Sequence, residues 1–391
     1  MQIKQIVLTI IALGIYLTAQ GQKDSLLIAG RDTICYKYTP IELPTDLIKN
    51  KEQQKNFKFS FLIAPAYTPS TSLLFGAMAS GVYRIDKQNM DLSPSTVSLF
   101  ASISITGMYK VGIDGVNIFK DDRNRLLYNL SFSSQPTYFW GIGYDAATTN
   151  ERIEYTANKY RAAVSYYHRI VKGLYVGTRV NFDYIYCSKT PSEQMLEYLD
   201  GRGLGYSATG ISLMLEYDSR DFMHNPHKGI FASLQAMIRP NALGSIDNTL
   251  WRINLNAAYY QPLWSGAVLA LDLYGEFNSK DTPWVFYAQM GDRNRMRGYY
   301  EGQFMDRNLI TAQAELRQKV WRMLGVAVWG GAGNCFHSFD SFLWSQTMPN
   351  YGVGLRWEIN DRINFRFDYG FGGKVKGKII NGFVISLNEA F

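Results

Sequence analysis

From Phe57 to the last residue the chain alternates apolar and polar positions with a period of two. In Ile310-Ala312-Ala314-Leu316 one parity is apolar, while the other reads Thr311-Gln313-Glu315-Arg317. The same holds for Tyr351-Val353-Leu355-Trp357-Ile359 against Gly352-Gly354-Arg356-Glu358, and for Ile363-Phe365-Phe367-Tyr369-Phe371 against Asn364-Arg366-Asp368-Gly370. Successive side chains of a strand point to opposite faces, so this period predicts β-strands with one apolar and one charged face. Eleven segments carry it before residue 290: 57–67, 72–85, 95–106, 109–119, 125–138, 153–168, 174–187, 207–217, 229–238, 251–262 and 268–278. Five more follow, at 309–321, 324–334, 351–359, 363–371 and 382–391.

Two architectures present such a face. A soluble sandwich buries the apolar side, whereas a membrane barrel turns it to lipid and keeps the charges in its lumen. Three features favour the barrel: long strands, both signs of charge on the polar parity, and a final residue, Phe391, on an apolar-alternating segment that reads as a C-terminal barrel signal. Sixteen is an even count, as a single-chain bacterial barrel requires. The expected fold is therefore all-β, a sixteen-stranded antiparallel transmembrane β-barrel spanning residues 57–391. A mean hydropathy of −0.16 does not oppose it, because alternation hides the apolar face from window averages. The 27 tyrosines fit as well, since Tyr and Trp collect at membrane interfaces. Trp251, Trp264, Trp284, Trp321, Trp344 and Trp357 read as such anchors.

The first residues read as an export signal over 1–21: Lys4, an apolar run from Ile6 to Leu17, then Thr18-Ala19-Gln20-Gly21. Residues 22–56, with Pro40, Pro44 and a charged run at 49–55, read as a short periplasmic leader. Cys35, Cys187 and Cys335 have neither an even count nor metal-type spacing. The net charge of +7 is spread along the chain and forms no nucleic-acid patch, so the expected surroundings are outer-membrane lipid and lipopolysaccharide.

Between the eleventh and twelfth segments lies Met290-Gly291-Asp292-Arg293-Asn294-Arg295-Met296-Arg297-Gly298-Tyr299-Tyr300-Glu301-Gly302. This connection is too long and too polar for an ordinary hairpin, and it must cap the barrel or fold into it. An arginine inside a lumen needs pairing, best by carboxylates that accept its fork. Chemistry of other kinds finds little support. His224 and His227 flank a proline turn without a third ligand, Gly201-x-Gly203-x-Gly205 precedes no helix, and no Gly-x-Ser-x-Gly elbow exists. No metal, cofactor or enzymatic activity is expected.

Two motifs carry a family resemblance. Tyr217-Asp218-Ser219-Arg220-Asp221 followed by Asn225-Pro226-His227-Lys228-Gly229 is similar to an Asp-x-Arg-Asp…Pro-x-x-Gly turn, with Asp218, Arg220, Asp221, Pro226 and Gly229 at the matching places. Arg297-Gly298-Tyr299, followed by Ala314-Glu315-Leu316-Arg317, looks like a lumen-inserted loop and the strand after it. Together they resemble the barrel domain of the bacterial surface antigen superfamily, which includes the BamA/TamA-type assembly barrels and the two-partner-secretion transporters. Tyr138-Phe139-Trp140-Gly141-Ile142-Gly143 also resembles an element of part of this family. The resemblance covers 57–391 and departs in two places. Residues 22–56 are too few for one POTRA domain, and Gly331 stands where the family has the aspartate that pairs with the loop arginine. Glu315, Glu358 and Asp368 share lumen parity and are the candidate replacements.

The resemblance implies outer-membrane protein insertion or polypeptide transport, with separate periplasmic partners handling client polypeptides. In such barrels the seam between first and last strands opens and exposes an edge. A passive pore or a structural subunit of an envelope complex is the alternative.

Overall fold

A computed structural model describes residues 57–86, 94–188, 193–199, 203–223, 225–360 and 363–391. The expected signal peptide and leader, with Cys35, Gly201 and His224, lie outside these. Sixteen strands close into one antiparallel barrel. They are β1 (Phe57–Thr68), β2 (Ser72–Tyr83), β3 (Ser95–Ser104), β4 (Tyr109–Ile118), β5 (Asn124–Phe139), β6 (Ile153–Val171), β7 (Leu174–Ser188) and β8 (Gly205–Asp218). There follow β9 (Gly229–Arg239), β10 (Leu250–Pro262), β11 (Ala267–Asn278), β12 (Asn308–Trp321), β13 (Leu324–Phe336), β14 (Met348–Asn360), β15 (Ile363–Val375) and β16 (Lys378–Leu387). Each pairs with its neighbours in sequence, and β16 returns to β1.

The alternation decides which way the wall faces. On β8, Ile211, Leu213 and Leu215 are exposed, while Ser212 and Glu216 are buried. Val353 and Leu355 on β14 point out, and Arg356 between Leu355 and Trp357 is buried. Apolar outside and charged inside is the reverse of a soluble sandwich, and it suits hydrocarbon around an internally satisfied backbone. No helix among the described residues is long and apolar enough to cross a membrane, which does not bear on crossing by strands.

The wall begins at Phe57 and ends at Leu387 on the same rim as the tight turns at 172–173 and 322–323. The longest connection, 279–307, lies on the opposite rim. Short periplasmic turns and long external loops are the rule in these barrels, so the terminal rim is the periplasmic one.

Boundaries differ from the sequence pattern mainly at the end. The glycines and lysines between 372 and 381 read as a loop, yet β15 and β16 extend through them and meet in a two-residue turn. There Lys376 and Gly377 both have positive φ, 48° and 77°, as the hairpin twist demands. Conversely, the last strand stops at Leu387 instead of reaching Phe391. Asn388 takes a left-handed φ of 64°, and the chain turns off the wall. Trp284 is also displaced from its expected place at the membrane interface. It is 3% exposed and packs among Phe139, Tyr155 and Met195.

The seam is unlike every other junction. β5 and β6 pair continuously from Asn124 opposite His168 to Phe139 opposite Ile153. β1 and β16 meet at one position, Tyr67 opposite Ile385. Two residues earlier, Pro65 has no N–H to offer a neighbour. Extending that register places the lower part of β1 opposite residues that have already left the wall.

Candidate functional site

From Ser279 to Arg307 the chain runs off the wall. Its base is closed by a short ladder, Ala288–Gln289 against Met305–Asp306. Its tip is shaped by Asp292, whose carboxylate accepts the Arg295 backbone N–H at 2.7 Å.

Arg297 sits at the centre, with no exposed surface. Its Nη2 lies 2.6 Å from the Glu315 carboxylate on β12, and its Nη1 donates to Asp368 Oδ2 on β15 at 2.7 Å. The guanidinium lies over the Trp329 ring of β13 at 3.6 Å, and its backbone carbonyl accepts a 2.7 Å hydrogen bond from Asn350 Nδ2 on β14. Two carboxylates and an aromatic face satisfy a cation that has lost its water.

The backbone can come this close because the wall is bare here. Gly298 has φ of 97°, and a Cβ on it would stand 2.6 Å from the Gly370 carbonyl oxygen. Gly370 on β15 and Gly382 on β16 are direct partners, and both lie against the Arg297–Gly298 peptide. Gly372 supports the Tyr299 ring. The Tyr299 hydroxyl donates to the Pro349 carbonyl at 2.6 Å and accepts from the Gly373 N–H at 2.7 Å. Burial raises its pKa, so it remains a donor.

Further arginines extend the cluster. Arg356 donates to Asp368 at 2.6 Å and to Glu389 at 2.8 Å, and lies 3.4 Å from Glu315. Arg317 donates to Glu315 at 2.7 Å, and Arg366 donates to the Arg293 carbonyl at 2.6 Å. Nearer the tip, Arg295 is held by Asp272 at 2.6 Å and by the face of Tyr274. Glu389 belongs to the turned-in tail. It also accepts from Asn364 Nδ2 at 2.7 Å, while Phe391 packs against the apolar cluster of Phe231, Ala258, Tyr260, Val268 and Ala270, and its backbone oxygen accepts from Arg317 at 2.9 Å.

Of the three candidate acids, Glu315 and Asp368 both meet Arg297. Glu358 does not, although it shares their parity. It lies near the periplasmic end of β14, too low to reach, and pairs with Lys319 at 2.5 Å. Gly331 faces inward against Ala312 and Gln313, where a Cβ would stand 2.5 Å from the Ala312 carbonyl oxygen.

The turn motif lies elsewhere, on the periplasmic rim between β8 and β9. Asp218 accepts both arms of the Arg220 fork at 3.1 Å, and Asp221 accepts the His227 and Lys228 backbone N–H groups. Gly229 has φ of 111° and sits against Ser219, and Pro226 is buried in the same turn. These residues hold one another without meeting Arg297, and Arg220 also lies over the Phe231 ring at 4.4 Å and reaches Tyr260, beside the turned-in tail. His227 is exposed, and the described residues hold no group of metal-ligating side chains. Cys187 and Cys335 are free thiols.

Sequence reasoning missed Asp272, Trp329, Asn350 and Arg366 as partners of this segment, and Arg356 and Glu389 as partners of the acids and arginines around it. Inward parity marked Arg356 as a lumen charge. Nothing marked Glu389, because the alternation carries the last strand through it.

A family model for the Omp85 superfamily domain matches residues 115–391. The chain belongs to the Omp85 superfamily. This agrees with the resemblance drawn from its two motifs, and it places the barrel in the outer membrane. Among solved structures, BamA from Haemophilus ducreyi lacking POTRA domains 1-3 is similar, with a TM-score of 0.60 and 12% identity over 90% of this chain and 75% of that one. CdiB from Acinetobacter baumannii gives 0.56 at 13% identity, and CdiB from Escherichia coli 0.55 at 10%. Both matches cover 85% of this chain, and 60% and 63% of those two chains. At such identities the likeness is one of fold. No curated protein sequence matches the chain.

Proposed function

We propose that this Omp85 barrel aids insertion or transport of polypeptides at the outer membrane, offering the lower edge of β1 to a client strand that separate periplasmic partners deliver. The observation that carries this reading is the single-position seam, with Tyr67 opposite Ile385 and the tail turned inward below it. An unpaired edge presents a row of backbone donors and acceptors, and an incoming strand satisfies them by adding to the sheet. The outward side chains of that edge, Phe57, Phe59, Phe61 and Ile63, are apolar, so a strand added there would continue a lipid-facing surface. The Arg297 cluster would act as a plug, holding residues 279–307 across the lumen while the seam works.

The test is a cross-link. Tyr67→Cys with Ile385→Cys, in a background where Cys35, Cys187 and Cys335 are serine, places two thiols at directly opposed positions within disulfide reach. In cells depleted of the native protein, the reduced form is expected to restore other outer-membrane barrels, and the oxidised form is not. Full restoration by the oxidised form would overturn the seam reading. A plugged scaffold is the second reading, favoured by the complete burial of Arg297. It predicts that depletion leaves other barrels unchanged.

A further inference from the structure

The inserted segment divides the lumen unequally. One side is clamped to β12–β16, as described above. The other side leaves a cavity of about 170 Å3 against the inner faces of β5–β11. Six cations line it: Lys159, Arg161, Arg179, Arg239, Arg252 and Arg295. Three acids face them, Asp183, Glu276 and Asp292. Asp183 serves two arginines, Arg239 at 3.0 Å and Arg161 at 3.6 Å, while Arg295 is matched at 2.6 Å by Asp272, which does not line the cavity. Arg252 and Glu276 neutralise each other at 3.4 Å. Arg179 on β7 lines the cavity with no hydrogen bond to its Nε, and Nε of the buried Arg239 is likewise unmatched. Amide groups of Asn181 and Gln235 line the same wall.

We infer that this cavity is a binding site for a phosphate-bearing anion. A lumen charge surplus in a low-dielectric wall attracts anions, and several guanidinium forks converging on one space select oxyanions over chloride. The volume admits a phosphate group and excludes a folded element. A bound phosphate would reach the wall arginines on β7 and β9, beneath the inserted segment that closes the cavity. The site stands whether or not the β1 seam opens.

The shared chemistry is a phosphate, and its source is either a free solute or a lipid headgroup. The experiment is a phosphorus NMR titration of the full chain, folded in zwitterionic micelles, with inorganic phosphate as the probe. Saturable binding is expected. Arg179→Gln should weaken it at least tenfold, and Arg322→Gln, which removes an exposed cation on a periplasmic turn, should leave it unchanged. Each variant is first checked for heat-modifiable migration. Should Arg179→Gln not fold, competition on the native protein decides: sulfate should displace phosphate, and chloride at equal ionic strength should not. A short-chain phosphatidic acid that competes for the site assigns the ligand to a headgroup, and its failure to compete assigns it to a solute. Non-saturable binding, equal losses in the two variants, or equal displacement by chloride would overturn the inference.

Discussion

Replacing Gly370 with alanine would put a methyl group where the Arg297 carbonyl oxygen now lies. The inserted segment would have to lift, at an overpacking cost of about 1–3 kcal/mol. Gly330, one residue from Gly331 but outward-facing, has nothing within 4 Å of such a methyl. Urea unfolding should therefore show Gly370→Ala destabilised and Gly330→Ala unchanged; equal effects would mean that the glycine floor does not seat the segment. Arg297→Ala removes the cation between Glu315 and Asp368, and breaking a buried pair by one partner costs about 3–5 kcal/mol. Arg297→Lys should fall between, since a point charge cannot serve both carboxylates as the fork does. That Arg297 needs lumen acids is legible from its motif and from inward parity. Which acids it meets is not, because height in the lumen depends on strand tilt and stagger. Glu358 shows this: right face, wrong level.

At the scale of elements, the alternation locates all sixteen strands because lipid outside and charge inside impose a strict period. It fails where the environment changes. Residues 372–381 lie above the apolar band and carry no lipid signature, yet ladder hydrogen bonds keep them in β15 and β16, and the Tyr299 contact seats the β15 part. Residues 388–391 carry on the alternation but leave the wall, since Glu389 gains Arg356, Arg317 and Asn364 inside, whereas on the wall its parity would face lipid. Glu389→Gln should thus loosen the tail, at about 1–3 kcal/mol for the lost charged hydrogen bonds. The expected sign is release of the tail toward β1, read as faster cross-linking of a cysteine at Ala390 to one at Leu62 than in the same pair with Glu389 intact. An unchanged rate would show that the ion pairs do not hold the tail.

For the molecule as a whole, the inserted segment bridges the wall from β12–β15 to the cavity side. Its removal should convert a filled barrel into a pore. A sixteen-stranded barrel without its plug is wide enough for an aqueous channel. Deleting residues 291–302, from one glycine to another, takes out Arg295, Arg297 and Tyr299 and leaves the Ala288–Gln289 and Met305–Asp306 ladder in place. In planar bilayers the intact protein should pass little current. The deletion should raise conductance several-fold and hold it steady, and Arg297→Ala should flicker between the two levels as the freed segment moves. The cations of the cavity wall add a sign to this expectation: Lys159, Arg161, Arg179, Arg239 and Arg252 stay, against Asp183, Glu276 and the Asp272 that Arg295 leaves behind, while on the other wall Arg317, Arg356 and Arg366 still face Glu315, Asp368 and Glu389. The opened lumen should therefore prefer anions, with a reversal potential that shifts accordingly in a salt gradient. A deletion variant that stays silent would mean that something other than this segment fills the lumen. One that conducts but prefers cations would mean that the wall arginines are neutralised by groups other than Asp183, Glu276 and Asp272.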